Sequence, residues 1–199
     1  MFETLVPSVK NYLKKHHELY SGRCKAEMWE ELCCKSLIES GFGSDWKPDS
    51  NHKSGLDQTT DSGIRISNKS GKITDDNSSV NFSGSRLQKH KGLEEKLKFL
   101  SEDHQDYILC LSTNDTEWIV GLPRYYLIVI DSLKLDYHNQ EWAETYGQRI
   151  DNKGKKTGYI CESEHFNARI KNSLSEQLWT DVKSTLFQEI YEIVLPINS

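Results

Sequence analysis

Apolar residues recur at helical spacing in the first forty positions. Over residues 2–20, Leu5, Val9, Leu13 and Leu19 gather near one face while Lys10, Lys14 and Lys15 lie elsewhere, and Gly22 interrupts the pattern. A second helix is predicted from about Lys25 to Ser40, with Met28, Trp29, Leu32, Cys33 and Leu37 as its stripe and Gly41 as its stop. The pattern then changes. Gly55–Thr60 reads as a short strand, Asp61-Ser62-Gly63 as a hairpin turn, and Ile64–Lys69 as the partner strand closed by Ser70-Gly71. A polar loop over 74–79 precedes a strand at Val80–Phe82, and Gly92–Leu100 reads as a helix. Tyr107–Leu111, Trp118–Val120 and Tyr125–Ile130 are further strand candidates. The last lacks alternation, as a central strand buried on both faces should. After a basic turn over 151–158, Ser173-Leu174-Ser175-Glu176 has the form of a capping box. It opens a predicted long C-terminal helix whose stripe is Leu174, Leu178, Val182, Leu186, Ile190 and Val194.

No internal repeat or low-complexity linker divides the 199 residues, so one α/β domain is expected over 1–199. The longest purely apolar run, Tyr125–Ile130, is far short of the roughly 20 residues of a membrane-crossing helix. The start, Met1-Phe2-Glu3-Thr4, lacks the basic and apolar segments of a secretory signal, so no membrane association and a cytoplasmic location are expected. Five cysteines without a CxxC, two of them adjacent (Cys33 and Cys34), point to reduced thiols and exclude a zinc finger. The 25 basic and 30 acidic residues leave a net charge of −5, which does not advertise a nucleic-acid binder. Local patches matter more than the sum. Arg86, Lys89, Lys91, Lys96 and Lys98 outweigh Glu94 and Glu95, and Arg149, Lys153, Lys155, Lys156, Arg169 and Lys171 form a second basic region.

The chemistry-bearing segment is the hairpin. Residues two apart on a strand share a face, so Ser67 and Lys69 point the same way. A turn at 61–63 brings Asp57 on the neighbouring strand close to Lys69. A carboxylate, a small polar group and an amine at adjoining strand positions suit metal-assisted phosphodiester hydrolysis. The carboxylate holds a hard cation such as Mg²⁺, and the amine stabilises charge on the phosphate. No Walker loop, dinucleotide fingerprint or serine-hydrolase elbow offers a competing chemistry. The histidines lack ligand spacing, although His52 lies near the hairpin.

Over roughly residues 22–130 these features resemble the PD-(D/E)XK nuclease superfamily, and type II restriction endonucleases in particular. The resemblance implies a restriction-endonuclease-like α/β core, a central mixed β-sheet flanked by helices. It implies Asp57 and Lys69 as catalytic residues, Asp57 as a metal ligand, and the Asn68 backbone carbonyl as another. Ser67 stands where the family's second acid is usual, so a carboxylate from elsewhere is expected. Glu30, on the helix before the hairpin, is favoured for the metal and for catalysis, with Glu94 as the alternative. Pro48-Asp49 is a literal PD dipeptide but lies well before the hairpin. Lys53, Arg65, Ser85, Arg86 and Lys89 are the candidate DNA contacts, with Ser83-Gly84-Ser85-Arg86 read as a small-residue loop open to phosphate.

The implied activity is Mg²⁺-dependent cleavage of double-stranded DNA at a short site, by a homodimer if that site is palindromic, alongside a cognate methyltransferase. The C-terminal helix is the candidate dimer interface. The competing readings are a structure-specific repair or recombination nuclease and a catalytically decayed DNA-binding protein, the latter motivated by Ser67.

Overall fold

The computed structural model describes residues 1–44, 57–102, 105–119, 122–151 and 153–196. Helices α1 (Val6–Leu19) and α2 (Ala26–Glu39) come first, as their spacing predicts. Then follow β1 (Gln58–Thr59), β2 (Arg65–Ile73), β3 (Ser79–Arg86), α3 (Gly92–Glu102), β4 (Tyr107–Thr113) and β5 (Arg124–Asp131). The chain ends through β6 (Trp142–Tyr146), β7 (Lys156–Glu162), β8 (Phe166–Lys171), β9 (Gln177–Lys183) and β10 (Phe187–Val194). The described residues thus form an α/β protein with three helices and a ten-stranded mixed, open sheet. Its order is β10-β5-β4-β2-β3-β9-β8-β7-β6, with β1 pairing to β2 off this path. Among the described strands only β2 and β4 pair in parallel, and β3 and α3 form the crossover between them. No helix among the described residues is long and apolar enough to cross a membrane.

Two cores lie on opposite faces of the sheet. Leu5, Val9, Leu13, Trp29, Cys33 and Leu37 from the helices pack on Ile66, Leu109, Leu111, Leu127 and Val129. Trp29 is fully buried and donates its indole N–H to the Leu109 carbonyl (3.1 Å), tying α2 to β4. The other face carries Ile108, Ile128 and Ile130, continued by Val80, Phe82, Ala168, Ile170, Leu178 and Val182. β4 and β5 contribute to both cores, which explains their unbroken apolar runs.

The predicted C-terminal helix is absent; the segment folds as β9 and β10. Leu178, Val182 and Leu186 recur every four residues, and four is also two strand pleats, so the stripe suits both structures. The abundance of Trp179, Thr180, Val182, Ile190, Tyr191 and Ile193 tips the balance to strand. Along β9 alternate residues are buried. A 3-10 turn at Ser184–Leu186 then changes the inward face, so Ile193 is buried while Ile190 stays 42 % exposed. Glu176 sits at φ 42° in a turn, and Leu174 is fully exposed, so no capping box forms. The expected interface helix is therefore replaced by β10, the edge strand of the sheet.

Three smaller departures bear on the site. β2 does not stop at Ser70-Gly71 but runs on to Ile73. Gly71 is needed for close approach, since a Cβ there would lie 2.8 Å from the Asn81 carbonyl oxygen and 3.0 Å from Cys110 Sγ. The segment 83–86 is the end of β3, not a loop. Trp118 belongs to no strand: only an isolated bridge joins Ile119 to Leu122, and its ring packs edge-on against Tyr125 at 5.5 Å. β6 and β7 carry little sequence signal because they lack a clean alternation, whereas Phe166–Lys171 (β8) alternates apolar and polar residues and is open to recognition as a strand.

Candidate active site

The hairpin forms as its residue types require. Gly63 takes φ 84° and donates its N–H to the Thr60 carbonyl (2.9 Å), and Thr60 N–H donates to the Ile64 carbonyl (2.9 Å). Gln58 then pairs with Ile66 and Thr59 with Arg65. Gln58, itself buried, donates from Nε2 to the Glu30 backbone carbonyl (2.9 Å), which docks α2 onto the hairpin. Asp106 holds the start of β2 from the other side. Its carboxylate accepts the Arg65 N–H (2.7 Å), and its own N–H donates to the Arg65 carbonyl (2.8 Å).

One residue before β1, Asp57 N–H donates to the Ile66 carbonyl (3.0 Å), and its carboxylate turns along the edge of β2. Oδ2 accepts the Asn68 N–H at 2.5 Å and the Ser67 hydroxyl at 3.2 Å, and Lys69 Nζ lies 3.6 Å away. The Asp57 and Lys69 side chains are only 15 % and 19 % exposed, and Ser67 is fully buried beneath them. The structure therefore brings together Asp57, Ser67, Asn68 and Lys69.

The site lies in a fork. β2 is edged by β1 at Arg65 and Ile66 but joins β3 only from Gly71 onward. Along Ser67–Ser70 no described strand covers that edge. The N–H and C=O of one strand residue point to the same side, so the Asn68 carbonyl faces the fork with the N–H that Asp57 accepts. The Asn68 side chain, two residues from Ile66 on the helix-facing side, is buried with no hydrogen-bond partner among the described residues.

Two thiols flank the cluster without reactivity. Burial first, and then Cys34 and Asp57, hold the Cys33 thiol well above its ordinary pKa. Burial pushes Cys110 up to about 12, against the opposing pull of Ser112 and Lys69. Neither is a thiolate nucleophile.

Glu30 reaches the hairpin through its carbonyl, and the described residues hold no group of three His, Cys, Asp or Glu side chains arranged around a metal position. Glu94 is exposed on the first turn of α3, with no ion pair or hydrogen bond to Asp57 or Lys69. Lys53, together with Pro48, Asp49 and His52, lies outside the described residues. Arg65 is half-buried at the start of β2, Ser85 is half-buried at the end of β3, and Arg86 and Lys89 are exposed just beyond. Lys96 leaves the basic cluster. It is buried and paired with Glu176 (3.0 Å), so it serves packing and not a ligand. Gln58 and Asp106, which position the hairpin, stand out in sequence only as polar residues, the first inside a strand and the second just before one.

Asp57 and the Asn68 carbonyl are both hard oxygen donors on one edge. This set fits Mg²⁺, which is commonly held by one or two carboxylates and completes its shell with water and substrate phosphate oxygens. It does not fit zinc, which favours His and Cys. Comparison with protein-family models and with curated proteins found no match.

Proposed function

We propose that the protein is a Mg²⁺-dependent endonuclease cleaving double-stranded DNA at a short specific sequence, a type II restriction enzyme with a PD-(D/E)XK-like core. The observation that carries the reading is the 3.6 Å approach of Lys69 to Asp57 in a strand fork where a backbone carbonyl faces the same edge. The order helix, hairpin, strand, helix, strand from α2 to β4 supports it.

Asp57 and the Asn68 carbonyl would hold the ion, which supplies charge neutralisation at the phosphate and a more acidic bound water. The chain's own residues do the rest. Ser67 and the Asn68 N–H fix the Asp57 carboxylate by hydrogen bonds, so it needs no reorganisation when substrate arrives. Lys69, held on the same strand face as Ser67, donates to the attacking water or to a non-bridging phosphate oxygen. The half-buried position of the pair limits screening by solvent and strengthens both interactions.

The test is incubation of phage DNA with the protein and Mg²⁺, followed by sequencing of the ends. Discrete fragments sharing one terminal sequence are expected. Lys69→Met and Asp57→Asn should each lower the cleavage rate by roughly 10²–10³ with folding intact. Full activity in either variant refutes the site. Cleavage confined to junctions or mismatches would instead identify a structure-specific repair or recombination nuclease. A second reading, a DNA-binding protein with a decayed site, is favoured by one observation: the Ser67 hydroxyl, standing at the usual acid position, is directed to Asp57. Duplex binding without cleavage in Mg²⁺ or Mn²⁺ would establish it. For the restriction reading, a homodimer by light scattering and a neighbouring methyltransferase gene are the expected companions.

A further inference from the structure

The two basic runs, one ending at Lys98 and the other starting at Arg149, are about fifty residues apart in sequence, yet strand register carries members of both to one end of the sheet. Arg86 ends β3 opposite Gln177 at the start of β9, and Ile170 near the end of β8 pairs with Leu178. Lys171 pairs with Gly158 at the start of β7, and Lys156 pairs with Tyr146 at the end of β6. Arg86 and Lys89 after β3, Lys171 ending β8, and Arg149, Lys153 and Lys155 in the β6–β7 turn therefore project from the same rim. All six are exposed, and none pairs with a carboxylate among the described residues. The acids of this rim are mostly engaged: Glu176 with Lys96 and Glu144 with Lys156, leaving Asp151 as the exposed acid in the turn.

The opposite rim has the other sign. Asp75 and Asp76 lie in the β2–β3 turn, and Glu162 and Glu164 at the β7–β8 turn, all exposed. The chain's net charge of −5 thus conceals, in the β3–β7 half of the sheet, a cationic end and an anionic end. The cationic end is the one at which the fork opens. β3 runs antiparallel to β2, so Arg86 lies at the same end as Arg65, and the strands part between there and Gly71.

We infer that this cationic rim is the seat of the duplex, holding its phosphate backbone from β3 to β7 and delivering one strand to the fork. The inference rests on the nuclease reading for its substrate and adds where that substrate lies. Three strand spacings from β3 to β7 span about 14 Å. Duplex DNA presents about one phosphate charge per 1.7 Å of axis, so six unpaired cations on this strip meet a matching density of anions. The acidic rim repels the same backbone and fixes which end of the sheet engages.

Binding is measured by fluorescence anisotropy of a short labelled duplex, with the full chain in EDTA so that cleavage does not intervene. Arg86→Ala/Lys89→Ala and Lys153→Ala/Lys155→Ala/Lys171→Ala should each weaken binding roughly tenfold or more near physiological salt. They should flatten the plot of log affinity against log salt by about two and about three respectively. Asp75→Asn/Glu162→Gln, on the far rim, should leave affinity equal or higher. Far-UV circular dichroism and the unfolding midpoint verify that the variants fold. If the wild type binds duplex and both cationic variants keep its affinity and salt slope, the seat lies elsewhere. If the rim captures single-stranded RNA in preference to duplex DNA, the occupant is wrong. Salt-dependent duplex binding through these residues, without cleavage in Mg²⁺, would uphold the rim while removing the nuclease reading.

Discussion

Strands β4 and β5 are buried along nearly their whole length, whereas β8 and β9 are buried at alternate positions. The first pair lies in the half of the sheet covered by α1 and α2 on one face, with the second core on the other. The second pair, in the antiparallel half, buries one face. The two halves share β2 and β3, and the fork with Asp57 and Lys69 opens where those strands separate. On the proposed reading, the doubly packed floor would carry the chemistry and the singly packed half would supply the charged rim beside it. Positioning catalytic groups needs side chains locked by packing, while binding a polyanion needs cations that stay in solvent.

The sharpest way to break this comparison is through stability. Trp29→Ala, in the covered half, should cost about 3–5 kcal/mol in urea unfolding. Trp179→Ala, half-exposed on β9, should cost no more than about 1 kcal/mol. Equal losses would mean the halves are equally packed. At the fork, Asp57→Ala orphans the Asn68 N–H and should destabilise by about 1–3 kcal/mol, whereas Asp57→Asn keeps an acceptor and should cost less. Parity of the two variants would show that the carboxylate contributes no structural hydrogen bond.

A smaller effect concerns pH. His17 on α1 is buried against Tyr125 of β5. The Tyr125 hydroxyl accepts the Cys24 N–H (2.9 Å) and so donates to His17 Nε2 (2.8 Å), leaving Nδ1–H for the Tyr20 carbonyl (3.0 Å). Burial, reinforced by the neighbouring His16 and opposed by the Tyr20 carbonyl, lowers its pKa below the ordinary 6.5. The unfolded chain therefore binds the proton more readily. Stability should be complete above about pH 6.5 and fall as pH drops through that value toward the lower folded pKa. His17→Gln should remove this dependence, and a profile identical to wild type would exclude His17 as its source. Smallest of all is a difference among thiols. All five cysteines are buried and outside any disulfide, with Cys24 and Cys110 pushed up to about 12 by burial and Cys161 to about 11. Native-state alkylation should be slow throughout, with Cys161 in the antiparallel half reacting ahead of Cys24 and Cys110. The reverse order would place the looser packing in the helix-covered half.

Much of this architecture is local and therefore legible in residue order. α1 and α2 follow from 3.6-residue spacing, the β1–β2 hairpin from Gly63, and β5 from its unbroken apolar run. The approach of Asp57 to Lys69 was legible for the same reason, because a short turn leaves few registers for its two strands. The C-terminal segment was not. A four-residue repeat satisfies helix and strand alike; the β-prone residues of 177–194 favour strand, and the free edges of β3 and β5, which β9 and β10 cover, complete the choice. Nor does residue order reveal that Lys96 is buried, that the 83–86 segment is strand, or that Arg86 and Lys171 share a rim. By itself the sequence determined the elements whose signals lie within one turn or one hairpin. The tertiary structure alone decided the fork and the separation of charge, because both depend on hydrogen bonds between strands distant along the chain.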